Sequence, residues 1–144
     1  GQQAPLVADF MDAYPSARFE WIQEWCTLDQ IAAEIREADI CLGVFGGEGK
    51  ASRVLPFKLY MYFATARAVI SQSQLSTPHG VPLPPLEAVS PVQGIQLAEA
   101  INRLADDPIQ RERMQTEAVA YYRRWLANSH VTSIWRDMLA SRSW

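Results

Sequence analysis

The chain has 144 residues, 49% hydrophobic and 20% charged, with a net charge of -3, which suits one globular domain that buries its own core without staples. The acidic balance argues against a general nucleic-acid binder, whose phosphate contacts need a basic surface, and no apolar run is long enough to span a membrane. The two cysteines, Cys26 and Cys41, form no metal pattern; with no signal peptide in view, they point to a reducing, cytoplasmic setting.

Residues 2–14 predict a helix, with Leu6, Val7, Phe10, Met11 and Tyr14 at helical spacing and Pro15-Ser16 as its stop. Residues 18–23 alternate, Phe19 and Trp21 on one side and Glu20 and Ile22 on the other, and predict a strand. Thr27 then serves as an N-cap, and Gln30 three residues on completes a capping box. The helix it opens carries Leu28, Ile31, Ala32 and Ile35 on one face and ends near Ala38.

Residues 40–45 are a near-continuous apolar run, the signature of a parallel strand covered on both faces. Gly46 and Gly47 follow. A helix over 56–66 places Pro56 in its first turn, where the missing N–H costs nothing, and puts Phe57, Tyr60, Met61 and Ala64 on one face. Residues 69–71 predict the next strand and 72–85 a polar, proline-bearing loop. A short strand over 86–89, fenced by prolines, belongs at a sheet edge.

From Gly94 onward the pattern is helical. Leu97, Ala98, Ile101, Leu104 and Ala105 form one face, Asp106-Asp107-Pro108 ends that helix, and the next begins at Pro108 and reaches Leu126 with Met114, Ala118, Tyr122 and Trp125 as its stripe. Asn128 or Ser129 caps a last helix bearing Val131, Ile134, Trp135, Met138 and Leu139. Its aromatic residues suit packing on this domain, on a partner domain, or peripherally on a membrane surface, although Arg123 and Arg124 make a small basic face for the last. The fold class expected is α/β, a Rossmann-like parallel sheet with flanking helices and a helical C-terminus.

The chemistry concentrates after the apolar strand. Ligands of open α/β sheets bind beyond the carboxyl ends of the strands. Lys50, Arg53 and Lys58 lie between that strand and the first turn of its helix. A helix start already carries partial positive charge and unpaired N–H groups, so a cation there works against the dipole. A bound anion resolves the conflict. From spacing alone, a phosphate or diphosphate site and three solvated cations stand even. His79 and His130 have no ligand partners at useful spacing, so a metal site is not expected. Ser71, Ser73 and Ser76 lack a nucleophile elbow, and Gly43 with Gly46-Gly47 is not a dinucleotide fingerprint.

Ala38-Asp39-Ile40, then Gly43-Val44-Phe45-Gly46, then Lys50 through Tyr60, then Ala64 and Ala68-Val69-Ile70 resemble the C-terminal half of GT-B-fold retaining glycosyltransferases, the large group that makes glycolipids, capsules and cell-wall polymers. Leu97 through Ile101, Leu104, Asp107-Pro108 and Arg111 are similar to that group's ending, so the likeness covers most of the chain from Phe19. It implies a single domain over 1–144 that binds a nucleoside-diphosphate sugar, passes the sugar to a polysaccharide or lipid acceptor, and needs neither metal nor other cofactor. Gly46, Gly47, Lys50, Arg53 and Lys58 would contact the donor phosphates, and Tyr60 and Met61 would occupy the nucleotide and ribose region. The family commonly has a glutamate where this chain has Met61, so the likeness is imperfect at the ribose. The catalytic groups and the acceptor belong to the family's N-terminal half, which is the implied partner.

The resemblance also implies that the first strand of the usual domain is missing here. The sheet would then repack, or leave an open edge through which copies associate. The competing reading is a non-catalytic Rossmann-like module that serves protein association. A weaker alternative is another open α/β protein, receiver-like or epimerase-like; receiver chemistry is disfavoured, because the best strand ends in glycines and lysines rather than in an acidic cluster.

Overall fold

Ala68-Val69-Ile70-Ser71-Gln72 forms the centre of the molecule. A computed structural model describes residues 4–46, 49, 52–91, 93–129, 132, 133 and 136. In it, strand β2 (Ala68–Gln72) is buried at every position. It lies between β1 (Ile40–Leu42) and β3 (Glu87–Val89), and both pair with it in parallel. Ile40, Cys41 and Leu42 face Ala68, Val69 and Ile70 in the first ladder, and Ile70, Ser71 and Gln72 face Glu87, Ala88 and Val89 in the second.

Alternation along these strands divides the core in two, because successive side chains leave a strand on opposite faces. Cys41 and Val69 join Ile35, Leu59, Phe63, Ala118, Tyr121 and Leu126 on one face. Ala68, Ile70 and Val89 join Ala100, Leu104 and Met114 on the other. Helix α3 (Phe57–Ala64) covers the first face and α4 (Gly94–Asp106) the second. Helix α5 (Pro108–Tyr121) contributes to both, Met114 to one and Ala118 with Tyr121 to the other. The chain is thus mixed α/β with a three-stranded parallel sheet. Among the described residues no helix is long and apolar enough to cross a membrane.

The helix boundaries follow local chemistry. In α2 (Leu28–Glu37) the capping box forms as expected: Gln30 N donates to Thr27 Oγ1 at 3.3 Å and Thr27 N to Gln30 Oε1 at 2.8 Å. Asp107 Oδ1 accepts from Gln110 N at 2.9 Å and Pro108 opens α5. Arg111 closes the end of α4 by donating to the Leu104 and Ala105 carbonyls at 2.5 and 2.6 Å. Helix α1 (Ala4–Ala13) ends at the expected stop.

Several expectations are corrected. Residues 18–23 form no strand. Their alternation supplies β propensity, but no neighbouring strand supplies a ladder, and Phe19 and Ile22 remain exposed. The run 40–45 is covered on both faces only in part: Cys41 joins the first core cluster, and Ile40 and Phe45 pack against the second. Regular pairing stops at Leu42, which is 41% exposed, and no strand pairs with the outer edge of β1 among the described residues. In α3 the buried pair is Leu59 and Phe63, while Phe57 is 69% exposed and Ala64 is also exposed. The fully buried stripe of α5 runs through Met114, Ala118 and Tyr121, while the expected Tyr122 and Trp125 are partly buried against the same cluster. A π-helical turn (Tyr122–Leu126) follows and shifts the phase so that Leu126 is buried. Of the last predicted helix, residues 128, 129, 132, 133 and 136 are helical, and Val131, Ile134, Trp135, Met138 and Leu139 lie outside the described residues.

Candidate functional site

The ladder between β1 and β2 goes out of step at the carboxyl end of β1. With Leu42 opposite Ile70, Gly43 N donates to the Ile70 carbonyl at 2.8 Å. In a regular parallel ladder the next bond runs from Gln72 N to the Gly43 carbonyl. Here Gln72 N donates instead to the Val44 carbonyl, at 2.9 Å. One extra residue is therefore accommodated on β1, which is a β-bulge, a feature that redirects groups near sites.

The fully buried Ser71 holds this arrangement. Its Oγ accepts from Val44 N at 3.1 Å and donates to the Val44 carbonyl at 3.2 Å. Gly43 makes room for it: a Cβ at that position would stand 2.6 Å from Ser71 Cβ and closer still to Ser71 Oγ. The Gly43 carbonyl, released from the ladder, accepts from Lys58 Nζ at 3.4 Å. The Leu42 carbonyl accepts from the Tyr62 hydroxyl at 3.3 Å. Two side chains of α3 thus meet the last carbonyl of the strand and the one that follows it.

Lys58 sits in the first turn of α3. That turn has no acidic residue, and its N-cap, Pro56, makes no side-chain cap bond. Lys58 therefore meets the positive end of the helix with no carboxylate partner among the described residues. Upstream, Gly49 adopts φ +88°, a left-handed conformation that suits glycine, and its carbonyl accepts from Ser52 Oγ at 3.0 Å and Arg53 Nε at 3.1 Å. Ser76 Oγ donates to the Ser52 carbonyl at 2.9 Å and ties this loop to the one after β2.

Two larger hollows open at this end of the sheet, beside a small one at Gln72 and Ser73. One, of about 310 Å³, is lined by Arg53, Val54, Leu55, Tyr60, Ser76, Thr77 and Pro78. The other, of about 270 Å³, is lined by Phe45, Ser90, Gln93, Gly94 and Leu97, where α4 begins with no side-chain cap. Neither is lined by a carboxylate or a histidine among the described residues. Nor do the described residues include a group of His, Cys, Asp and Glu able to hold a metal ion. A larger groove, about 460 Å³, lies away from the strand ends between Leu83, Pro85, Glu117, Tyr121, Arg124 and Trp125. It is shallow, and its Tyr121 hydroxyl already donates to the Pro82 carbonyl at 2.7 Å.

The structure brings Arg53 and Tyr60 together in one hollow. Lys58 is held at the Gly43 carbonyl instead. Gly46 is exposed in the loop after β1, and Met61 is half-buried, packed against the first core cluster. Gly47 and Lys50 lie outside the described residues. Sequence reasoning missed Gly43, Ser71 and Tyr62. The available signal was Gly43 itself, since a glycine inside an apolar strand marks a bulge or a close approach.

Burial raises three weak acids behind this site. It pushes the Cys41 thiol up to about 11, against a smaller lowering by Arg67. It pushes Tyr121 up to about 12, with Tyr60 adding to the rise. Tyr62 is raised by burial and then by Cys41. All three stay protonated at neutral pH. Searched against protein-family models and against curated proteins, the chain matches none.

Proposed function

We propose that this domain binds the nucleoside-diphosphate sugar donor of a GT-B-type glycosyltransferase, which passes the sugar to a polysaccharide or lipid acceptor. The observation that carries the reading is Lys58, a cation without a carboxylate partner among the described residues, set in the acid-free first turn of α3 at the carboxyl end of β1. A diphosphate there would take up helix N–H groups and the lysine charge together. Arg53 lies in the neighbouring hollow beside Tyr60 and gives a second cation and a ring for the nucleotide. Gly46 and Gly47 would let the loop backbone approach the phosphates, and Lys50 would add charge. The acceptor and the catalytic acid or base would come from the N-terminal partner domain, so no turnover is expected of this domain alone. The donor is a substrate, and the mechanism asks for no metal.

Calorimetric titration of the domain with UDP, GDP and their sugars tests this. Binding that weakens about tenfold or more in Lys58→Ala, the loss expected of a charge-assisted contact, supports it. No binding at millimolar nucleotide overturns it. A second reading, a non-catalytic module for protein association, is favoured by the unpaired outer edge of β1 and by the exposure of Phe10, Phe19, Ile22 and Trp25. Sedimentation over a range of concentrations separates the two.

A further inference from the structure

We propose that Ser71 is a positioning residue for the anion site: its buried hydroxyl holds the β1–β2 ladder one residue out of step and thereby gives the Gly43 carbonyl to Lys58. The register is a property of the unliganded chain; its purpose rests on the anion-binding reading above. Ser71 is fully buried near the carboxyl end of β2, and its hydroxyl both donates to and accepts from one residue, Val44, at 3.2 and 3.1 Å. Those two bonds pin Val44 at the point where Gln72 N reaches its carbonyl, 2.9 Å away.

Without the hydroxyl, the Val44 N–H loses a partner in a partly buried setting, which is costly. The regular alternative lies one residue back. Gln72 N would then bond to the Gly43 carbonyl, as an unbulged parallel ladder requires. Lys58 would lose its acceptor, and its flexible stem would no longer be held at the strand end. Gly43 is the other half of the device, because a side chain there would occupy the space of the Ser71 hydroxyl.

The test compares wild type with Ser71→Ala. Through-hydrogen-bond NMR couplings on the unliganded protein read the register directly. A coupling from Gln72 N to the Val44 carbonyl is expected in wild type and one to the Gly43 carbonyl in the variant. Titration with inorganic pyrophosphate and with UDP reads the consequence, an expected loss of about fivefold, the worth of one positioned hydrogen bond. In a Lys58→Gln background the same serine substitution is expected to cause no further loss, because its effect runs through the lysine.

A purely structural serine would lower the melting temperature but leave the coupling partner and the affinity as in wild type, and that result overturns the proposal. So does a full affinity loss from Ser71→Ala in the Lys58→Gln background. If the alanine variant does not fold, Ser71→Cys, whose thiol is a weaker donor and acceptor, puts the same question: an unchanged register and affinity count against the proposal, a shifted register with weakened binding for it. Failure of wild type to bind pyrophosphate or UDP removes the functional purpose and the anion reading together, while the coupling result still decides the register.

Discussion

Cys41 and Tyr121 are single residues whose burial sets how the fold responds to alkali. The thiol moves from its ordinary 9.0 to about 11 and the phenol from 10.0 to about 12, chiefly through burial. A group whose pKa is raised in the folded state stabilises that state fully below its unfolded value and loses the contribution as pH climbs to the folded value. The thermal midpoint is therefore expected to stay level up to about pH 9 and to fall between about pH 9 and 12, with Tyr62 adding in the same direction. Each of these two rises is worth at most about 3 kcal/mol. Melts of Cys41→Ala and Tyr121→Phe across that range check it. The first should flatten the decline between pH 9 and 11 and the second the decline above pH 10. Parallel decline in wild type and in both variants would mean that other groups carry the alkaline loss.

At the scale of elements, α3 shows what a sequence pattern can and cannot convey. Its eight residues, FKLYMYFA, are apolar almost throughout, so periodicity has nothing to choose a face by. Leu59 and Phe63 are selected by packing, and Phe63 meets Tyr121 edge-on at 5.6 Å between ring centres. Phe63→Ala is expected to cost about 3–5 kcal/mol, whereas Phe57→Ala should stay within about 0.5 kcal/mol. Urea unfolding of the two variants distinguishes this assignment from the opposite face. Where residues carry their own partner in the chain, the fold was legible. Thr27 with Gln30, and Asp107 with Pro108, mark helix starts by bonds three residues long. Residues 18–23 were not legible, because a strand depends on a neighbour that the segment itself does not encode. The stripe of α5 was legible as far as Ala118; beyond it the π-helical turn at Tyr122–Leu126 breaks the period, so that Tyr121 and Leu126 are buried and Tyr122 and Trp125 only partly so. The same division holds at the site. Lys58 and Arg53 could be picked out by charge set against a helix start. The bulge that frees the Gly43 carbonyl depends on Ser71, which is distant in the chain, and only the interrupting glycine hinted at it.

For the molecule as a whole, the sheet leaves one side unfinished. Cys41 turns its backbone groups and Gly43 its N–H toward β2, so the groups of Ile40 and Leu42 face outward, where no strand pairs with them among the described residues. Such an edge is a template for another strand unless something blunts it. Two side chains of α3 do so in part: the Tyr62 hydroxyl meets the Leu42 carbonyl, and Lys58 stands at the next one. The protection is thin, since Leu42 is exposed beside it and Trp25, 97% exposed, adds apolar surface elsewhere. Self-association that rises from micromolar to millimolar concentration is therefore expected in sedimentation velocity. Leu42→Lys puts a charge on the edge and should shift the population toward monomer. Tyr62→Phe removes the hydroxyl while keeping the ring and should shift it toward larger species. Trp25→Ser separates the two surfaces: if it alone abolishes association while Leu42→Lys and Tyr62→Phe change nothing, the copies meet through exposed aromatic surface and the strand edge is sufficiently guarded by α3.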